Sequence, residues 1–140
     1  MPNTGCWNLV VKQRYLRIHI SVFLIIIIPL GFLTKVYSGP ASFWVNNSLC
    51  GILYEIFWCL VLFLFLPSAN IFKISLFVFN ATGVLECLQL WHPPFLEILR
   101  KTFIGRTVLG TTFIWSDFFY YFIGCLLGYL LMKWTVTLSS

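Results

Sequence analysis

Four long apolar runs, separated by short polar segments, dominate the chain. Each run is close to the roughly 20 residues that an α-helix needs to cross a bilayer. We therefore expect membrane-spanning helices at about 18–33, 48–66, 71–90 and 113–132. Only the polar turn at 67–70 separates the second span from the third, so these two spans should pack as an antiparallel hairpin. The pattern predicts an all-α membrane protein with four transmembrane helices, in a single domain over residues 1–140.

The segment between the third and fourth spans has a different pattern. Its apolar residues are interrupted by Glu97 and Lys101, an acid–base pair with the i,i+4 spacing that supports a helix. Pro94 suits the first position of a helix, and Gly105 suits its C-terminal cap. We expect a short helix at about 94–104 that lies in the membrane interface. A soluble lid helix is the alternative.

Composition supports a lipid environment for most of the surface. Charged residues make up 9% of the chain, whereas a soluble domain carries about 25%. The net charge of +5 is spread along the chain, which is typical of topology signals and lipid contacts and does not indicate nucleic-acid binding. The five cysteines include no C-x-x-C pair, so they indicate neither a disulfide framework nor a zinc site. No metal site is predicted, and the sequence defines no cofactor.

The basic residues before the first span bear on topology. Lys12, Arg14 and Arg17 precede the first apolar run at once, an arrangement that a signal peptide shares. We interpret the run as a transmembrane helix. Such an N-terminal cluster tends to decide orientation, so we expect both termini to be cytoplasmic. In the fourth span, Gly124-x-x-x-Gly128 is a candidate for close helix packing.

Three carboxylates fall inside the predicted spans. Glu55 lies about seven residues past the start of its span, or roughly 10 Å deep. Glu86 lies about four residues before the end of the third span, and Asp117 about four residues into the fourth, so both should be roughly 6 Å deep. Since the second and fourth spans enter from the face where the third exits, all three should sit near the same face. Acidic residues within the membrane mark functional sites by default, so we expect one polar pocket.

Other polar residues of the same region can complete this pocket. Gln89 stands one turn from Glu86, and Tyr121 stands one turn from Asp117. Arg106 comes from the loop on the same face and can neutralise a carboxylate. The predicted ligand-binding set is Glu86, Gln89, Arg106, Asp117, Glu55 and Tyr121. The alternative is purely structural: the carboxylates form ion pairs with Arg100 and Arg106 that pin the loop over the helices.

The order of these residues resembles a known family pattern. Glu86-x-x-Gln89, a following arginine and a downstream aspartate resemble the VanZ-like group of small bacterial membrane proteins. The similarity to the DUF2809 family is closer, on these residues: Tyr54, Glu86, Gln89, Arg106, Leu109-Gly110 and Trp115-x-Asp117-x-x-x-Tyr121. The resemblance implies a bacterial plasma-membrane protein. VanZ-like proteins are associated with low-level resistance to glycopeptide antibiotics, and the closer family has no assigned reaction.

Three functions are compatible with the sequence. The first is binding of a polar or cationic ligand, such as a lipid headgroup, at one bilayer face. The second is a membrane enzyme that acts on a lipid-linked substrate, with Glu86 or Asp117 as general base. The third is an accessory subunit of a larger membrane-protein complex. Membrane lipids are the expected partners in each case, and the sequence leaves open whether the protein is an enzyme.

Overall fold

A computed structural model describes residues 4–109 and 114–140 of the chain. This part of the chain is helical and contains no strand, and its helices are α1 (Thr4–Val36), α2 (Ser42–Phe65), α3 (Ile71–Leu88), α4 (Pro94–Arg100), α5 (Phe103–Leu109) and α6 (Trp115–Leu138). α2 includes one π-helical stretch at Val45–Leu49. Four of these helices, α1, α2, α3 and α6, are long and apolar enough to cross a membrane. The predicted fold class is confirmed.

The first helix is much longer than the predicted span at 18–33. α1 has 33 residues, which corresponds to about 50 Å at about 1.5 Å per residue. The hydrocarbon core of a bilayer is only about 30 Å thick. No proline or glycine interrupts residues 6–28, so the helix continues through its polar N-terminal part. Lys12, Arg14 and Arg17 are therefore helical residues at one end of α1.

α2 lies at the centre of the helix packing, in contact with α1, α3 and, most extensively, α6. Its buried face includes Ile56, Leu60 and Phe63. The contact with α6 is close because two glycines face α2: a Cβ added at Gly124 would lie 2.6 Å from Glu55 Cβ, and one added at Gly128 would lie 2.9 Å from Cys59 Cβ. The predicted close packing at this glycine pair is confirmed.

The hairpin of α2 and α3 is also confirmed, and the turn between them ends in a helix cap. α2 ends at Phe65, and α3 begins five residues after Leu66, at Ile71. The side chain of Asn70 accepts a hydrogen bond of 2.9 Å from the backbone N–H of Phe72. Asparagine is a favoured N-cap because its side chain satisfies one of the free N–H groups of the first turn. The two helices then pack against each other.

The segment predicted as one interfacial helix at 94–104 forms two short helices, α4 and α5. Pro94 begins α4, as expected. The chain breaks after Arg100 because the Thr102 hydroxyl accepts a hydrogen bond of 3.0 Å from the N–H of Gly105, which caps α5. The prediction that Gly105 caps the end of a helix is wrong, because Gly105 lies inside α5. There its Cα approaches the Leu99 carbonyl so closely that any Cβ would collide with that oxygen.

Two further expectations concern this region. Glu97 does not pair with Lys101 as predicted; its carboxylate contacts Arg100 Nη1 at 2.9 Å and His92 Nδ1 at 2.8 Å. The fourth span was predicted to begin at residue 113, which lies outside the described residues, as does Gly110 of the family pattern. The described helix α6 begins at Trp115 and extends to Leu138, six residues beyond the predicted end at 132.

Candidate functional site

A cavity of about 460 Å³ lies between the four long helices at the end where α5 is placed. Its volume falls in the range of about 300–1,000 Å³ that is usual for small-molecule sites. Five of the six residues predicted from the sequence line it, namely Glu86, Gln89, Arg106, Asp117 and Tyr121. Glu55 does not line it. The cavity walls therefore combine charged and amide side chains with apolar side chains of the surrounding helices.

Glu86 is the most firmly held polar residue of the cavity wall. Its side chain is 1% exposed. Its carboxylate accepts hydrogen bonds from the Tyr121 hydroxyl at 2.8 Å, from Gln89 Nε2 at 2.8 Å and from the backbone N–H of Ile114 at 3.3 Å. A buried carboxylate is tolerated when such donors replace water. Because Tyr121 belongs to α6 and Ile114 immediately precedes it, Glu86 connects α3 to the start of α6.

Asp117 differs from Glu86 in having no such donors. It lines the cavity from the first turn of α6, where the helix dipole favours a negative charge. Within residues 4–109 and 114–140, no hydrogen-bond donor and no basic nitrogen is paired with its half-buried carboxylate. The carboxylate is thus available to a ligand.

Two basic residues line the same cavity. Arg106 uses Nε to donate a hydrogen bond of 3.3 Å to the Arg100 carbonyl, and no carboxylate of the described chain lies within 4.0 Å of its guanidinium. Lys35 lies in the last turn of α1, is exposed, and likewise has no carboxylate partner among the described residues. Sequence reasoning did not include Lys35 in the site. The signal was present, because Lys35 ends the first span at the face where Glu86 and Asp117 lie.

Glu55 lies apart from the cavity. Since α2 begins at Ser42 and not at residue 48, Glu55 is 13 residues into the helix, or about 20 Å along it. The Glu55 side chain is 0% exposed, and its Oε2 accepts a hydrogen bond of 2.9 Å from Cys125 Sγ. Its Oε1 has no hydrogen-bond partner in the described structure.

Arg100 has a structural role that the ion-pair alternative did not anticipate. Its guanidinium donates to the Leu88 carbonyl at 2.8 Å and to the Trp91 carbonyl at 3.3 Å, and so satisfies carbonyl groups at the end of α3. It also binds Glu97, and hydrogen bonds from His92 and Arg100 hold the pKa of the Glu97 carboxyl below its usual value. The ion pairs of the described residues are those of Glu97, and the three carboxylates of the spans form none.

Among the described residues, the cavity therefore presents one carboxylate and two cations that form no ion pair within 4.0 Å, beside a carboxylate that accepts three hydrogen bonds. In the portion of the chain that the structure describes, no group of three or more His, Cys, Asp or Glu side chains is placed to hold a metal ion. The side chains present can recognise charged and hydrogen-bonding groups by noncovalent contacts. The apolar lining residues, among them Phe32, Val36 and Leu85, add contacts for a hydrocarbon part.

A family model matches most of the chain that forms this cavity. The model, described as "Protein of unknown function (DUF2809)", matches residues 41–125, which is more than half of the chain. The chain belongs to the DUF2809 family. The DUF2809 match includes every residue that lines the cavity except the three on α1. Lys35 is the charged residue among those three. The DUF2809 part of the sequence resemblance is thus confirmed, whereas the VanZ-like part is not shown. No solved structure matches the chain.

Proposed function

We propose that this DUF2809 protein binds a polar ligand or lipid headgroup in the cavity. The observation that carries the proposal is that Lys35, Arg106 and Asp117 line one cavity without forming ion pairs among the described residues. Charged side chains in or near a bilayer are costly, and they usually pair with one another or mark a functional site. A ligand with complementary charges would offset this cost. Its binding energy would come from the same groups.

The cavity residues divide into supporting and contacting groups. Glu86 and Tyr121 hold α3 against α6, and their hydrogen bond fixes the shape of the wall. Asp117 is the acceptor for positively charged or N–H groups of the ligand. Lys35 and Arg106 are the donors for its anionic groups. Removal of a contacting group should weaken binding without changing the fold, whereas removal of a supporting group should lower stability as well.

The cellular location is part of the proposal. We place the protein in a bacterial plasma membrane with both termini cytoplasmic, since basic residues such as Arg14 and Arg17 precede the first span. The cavity then lies at the outer face. A fluorescent protein fused after Ser140 should fluoresce, and alkaline phosphatase fused at the same point should be inactive. The opposite pair of results would reverse the orientation.

The binding proposal is tested by what co-purifies with the protein. Wild type and Asp117→Asn, which removes the charge with little change in shape, are purified in mild detergent, and bound molecules are extracted and identified by mass spectrometry. Glu97→Gln is the matched control, because Glu97 is acidic and close to the same face but does not line the cavity. Wild type and Glu97→Gln should retain the same polar molecule, and Asp117→Asn should lose it at least about tenfold. Equal retention by all three proteins would overturn the proposal.

A membrane enzyme that acts on a lipid-linked substrate is the second candidate. It is favoured by the finding that Asp117 accepts no hydrogen bond from the described residues, because a carboxylate with free oxygens can take a proton from a substrate. Glu86 is the less available carboxylate, since it already accepts three hydrogen bonds. If the molecule recovered from wild type is chemically altered relative to that recovered with Asp117→Asn, catalysis is supported. Identical molecules at reduced occupancy support binding alone.

A further inference from the structure

We infer that the ligand is a phospholipid with a zwitterionic headgroup whose cation is a primary ammonium group, as in phosphatidylethanolamine. The inference rests on the proposed function of the cavity and names the ligand class for it. The phosphate group would lie with Lys35 and Arg106. The ammonium group would lie with Asp117 and Gln89.

The balance of charges in the cavity favours a ligand with no net charge. The basic side chains that line it are Lys35 and Arg106, and the acidic ones are Glu86 and Asp117. The undescribed residues 110–113 carry no ionisable side chain. A net anion or net cation would leave one set of these charged side chains without a partner, and a charge that loses its water without gaining a partner is costly. A zwitterion can satisfy the free cations and the free carboxylate together.

The hydrogen-bond acceptors of the wall favour an ammonium group that carries N–H donors. Gln89 is 8% exposed and lines the cavity; its Nε2 is used by Glu86, while its Oε1 is buried without a hydrogen-bond partner among the described residues. A primary ammonium has three N–H donors, which the Asp117 oxygens and Gln89 Oε1 can accept. A quaternary ammonium, as in a choline headgroup, has none and would leave these acceptors unpaired. Unpaired buried acceptors cost binding energy.

The apolar part of the lining favours a lipid over a water-soluble zwitterion. Phe32 and Val36 line the cavity from α1 and are 58% and 59% exposed. Both residues belong to a helix that is long and apolar enough to cross a membrane. Acyl chains attached to a bound headgroup could therefore run along α1 into the bilayer. A soluble phosphate ester of ethanolamine would leave this surface uncovered.

The test compares four probes with the purified full-length protein in detergent. Short-chain phospholipids with ethanolamine, choline and glycerol headgroups are titrated separately, together with free phosphoethanolamine, and occupancy is measured by native mass spectrometry. The ethanolamine lipid should bind at least about tenfold more tightly than each of the other three, because each lacks one set of complementary groups or the acyl chains.

Variants of the cavity residues test which side chain contacts the ammonium group and which contacts the phosphate. Asp117→Asn should remove most of the preference for ethanolamine over choline. Lys35→Gln should weaken the binding of both lipids by a similar factor, because both carry the phosphate. Lys73→Gln is the control. Lys73 lies in the first turn of α3, at the end away from the cavity, and it is exposed and does not line the cavity. Circular dichroism checks that each variant keeps its helix content.

The outcomes separate the two proposals. Preference for the choline lipid, lost in Asp117→Asn or Lys35→Gln, would overturn the inferred primary ammonium group, and such a preference for the glycerol lipid would overturn the inferred zwitterion; in both cases the cavity would remain a binding site. If free phosphoethanolamine binds as tightly as the ethanolamine lipid, the inference that the ligand is a lipid is wrong. Binding that no cavity variant changes, for any probe, would overturn the proposed function as well.

Discussion

The packing of α2 against α6 at Gly124 yields a quantitative prediction for Gly124→Ala. A Cβ at this position would lie 2.6 Å from Glu55 Cβ and 2.8 Å from the Ile52 carbonyl oxygen. Optimal contacts between carbon atoms are about 3.5–4.0 Å, so the new methyl group is about 1 Å too close. Neither neighbour is the end of a flexible side chain. The two helices must therefore move apart where the Glu55–Cys125 hydrogen bond joins them.

The size of the effect follows from two opposing contributions to the free energy of unfolding. Overpacking of a filled interior costs about 1–3 kcal/mol. Replacing glycine by alanine inside a helix returns about 0.5–1 kcal/mol. Gly31→Ala is the matched control, because Gly31 lies inside α1 and nothing lies within 4 Å of its added Cβ. The difference between the two variants cancels the helix contribution and isolates the packing cost, about 1–3 kcal/mol.

The assay is equilibrium unfolding in mixed micelles at increasing mole fraction of a denaturing detergent, followed by circular dichroism. Gly31→Ala should be as stable as wild type or slightly more stable, and Gly124→Ala should be less stable. If the two variants unfold at the same point, the close approach of α2 and α6 does not exist as described. The central position of α2 in the fold would then have to be reconsidered.

Two further predictions concern hydrogen-bonded carboxylates. Tyr121→Phe removes one of three donors to the buried Glu86 and should lower stability by about 1.5–3 kcal/mol in the same unfolding assay; a loss below about 0.5 kcal/mol would contradict the contact. Hydrogen bonds from His92 and Arg100 lower the pKa of the Glu97 carboxyl in the folded protein. The stabilisation by these contacts is therefore fully present above the ordinary Glu97 pKa of 4.5, and it is lost as the pH falls through the lowered pKa. Protection of the α4 amides, taken relative to their intrinsic exchange rate at each pH, should therefore fall at acidic pH in wild type and should not fall in Glu97→Gln.

The sequence predicted the four spans and the hairpin because both depend on hydrophobic length and turn residues alone. It did not predict where helices begin, because hydropathy marks the part of a helix that lies in lipid. α1 continues through Arg14 and Arg17 into the aqueous side, and α2 begins at Ser42, within a segment too polar to resemble a span. Glu55 was grouped with the cavity residues because spacing along a helix does not tell which side chains of neighbouring helices share one opening.

Within the cavity, the residues on α3 and α6 were predictable and those contributed by other elements were less so. Glu86 and Asp117 stand out in apolar helices, and their partners at helical spacing follow from geometry. Lys35 was missed because a basic residue at the end of a span is first interpreted as a topology signal. The predicted partner of Glu97, Lys101, was wrong. Helical spacing allows an ion pair with either Arg100 or Lys101, and only the path of the chain decides between them.

The break at Thr102 divides the residues that line the cavity into two groups. One group lies on α5, which we call the roof, and the other lies on the long helices, which we call the walls. Phe103 and Arg106 reach the cavity from α5, a helix of seven residues that begins with its own cap. The walls belong to the long helices and share their buried interface. Segments with few buried contacts can open at a small fraction of the free energy that unfolds a whole domain. For the binding proposed above, we therefore expect a molecule to enter or leave on the side of α5, whose Phe103 and Ile104 side chains are exposed.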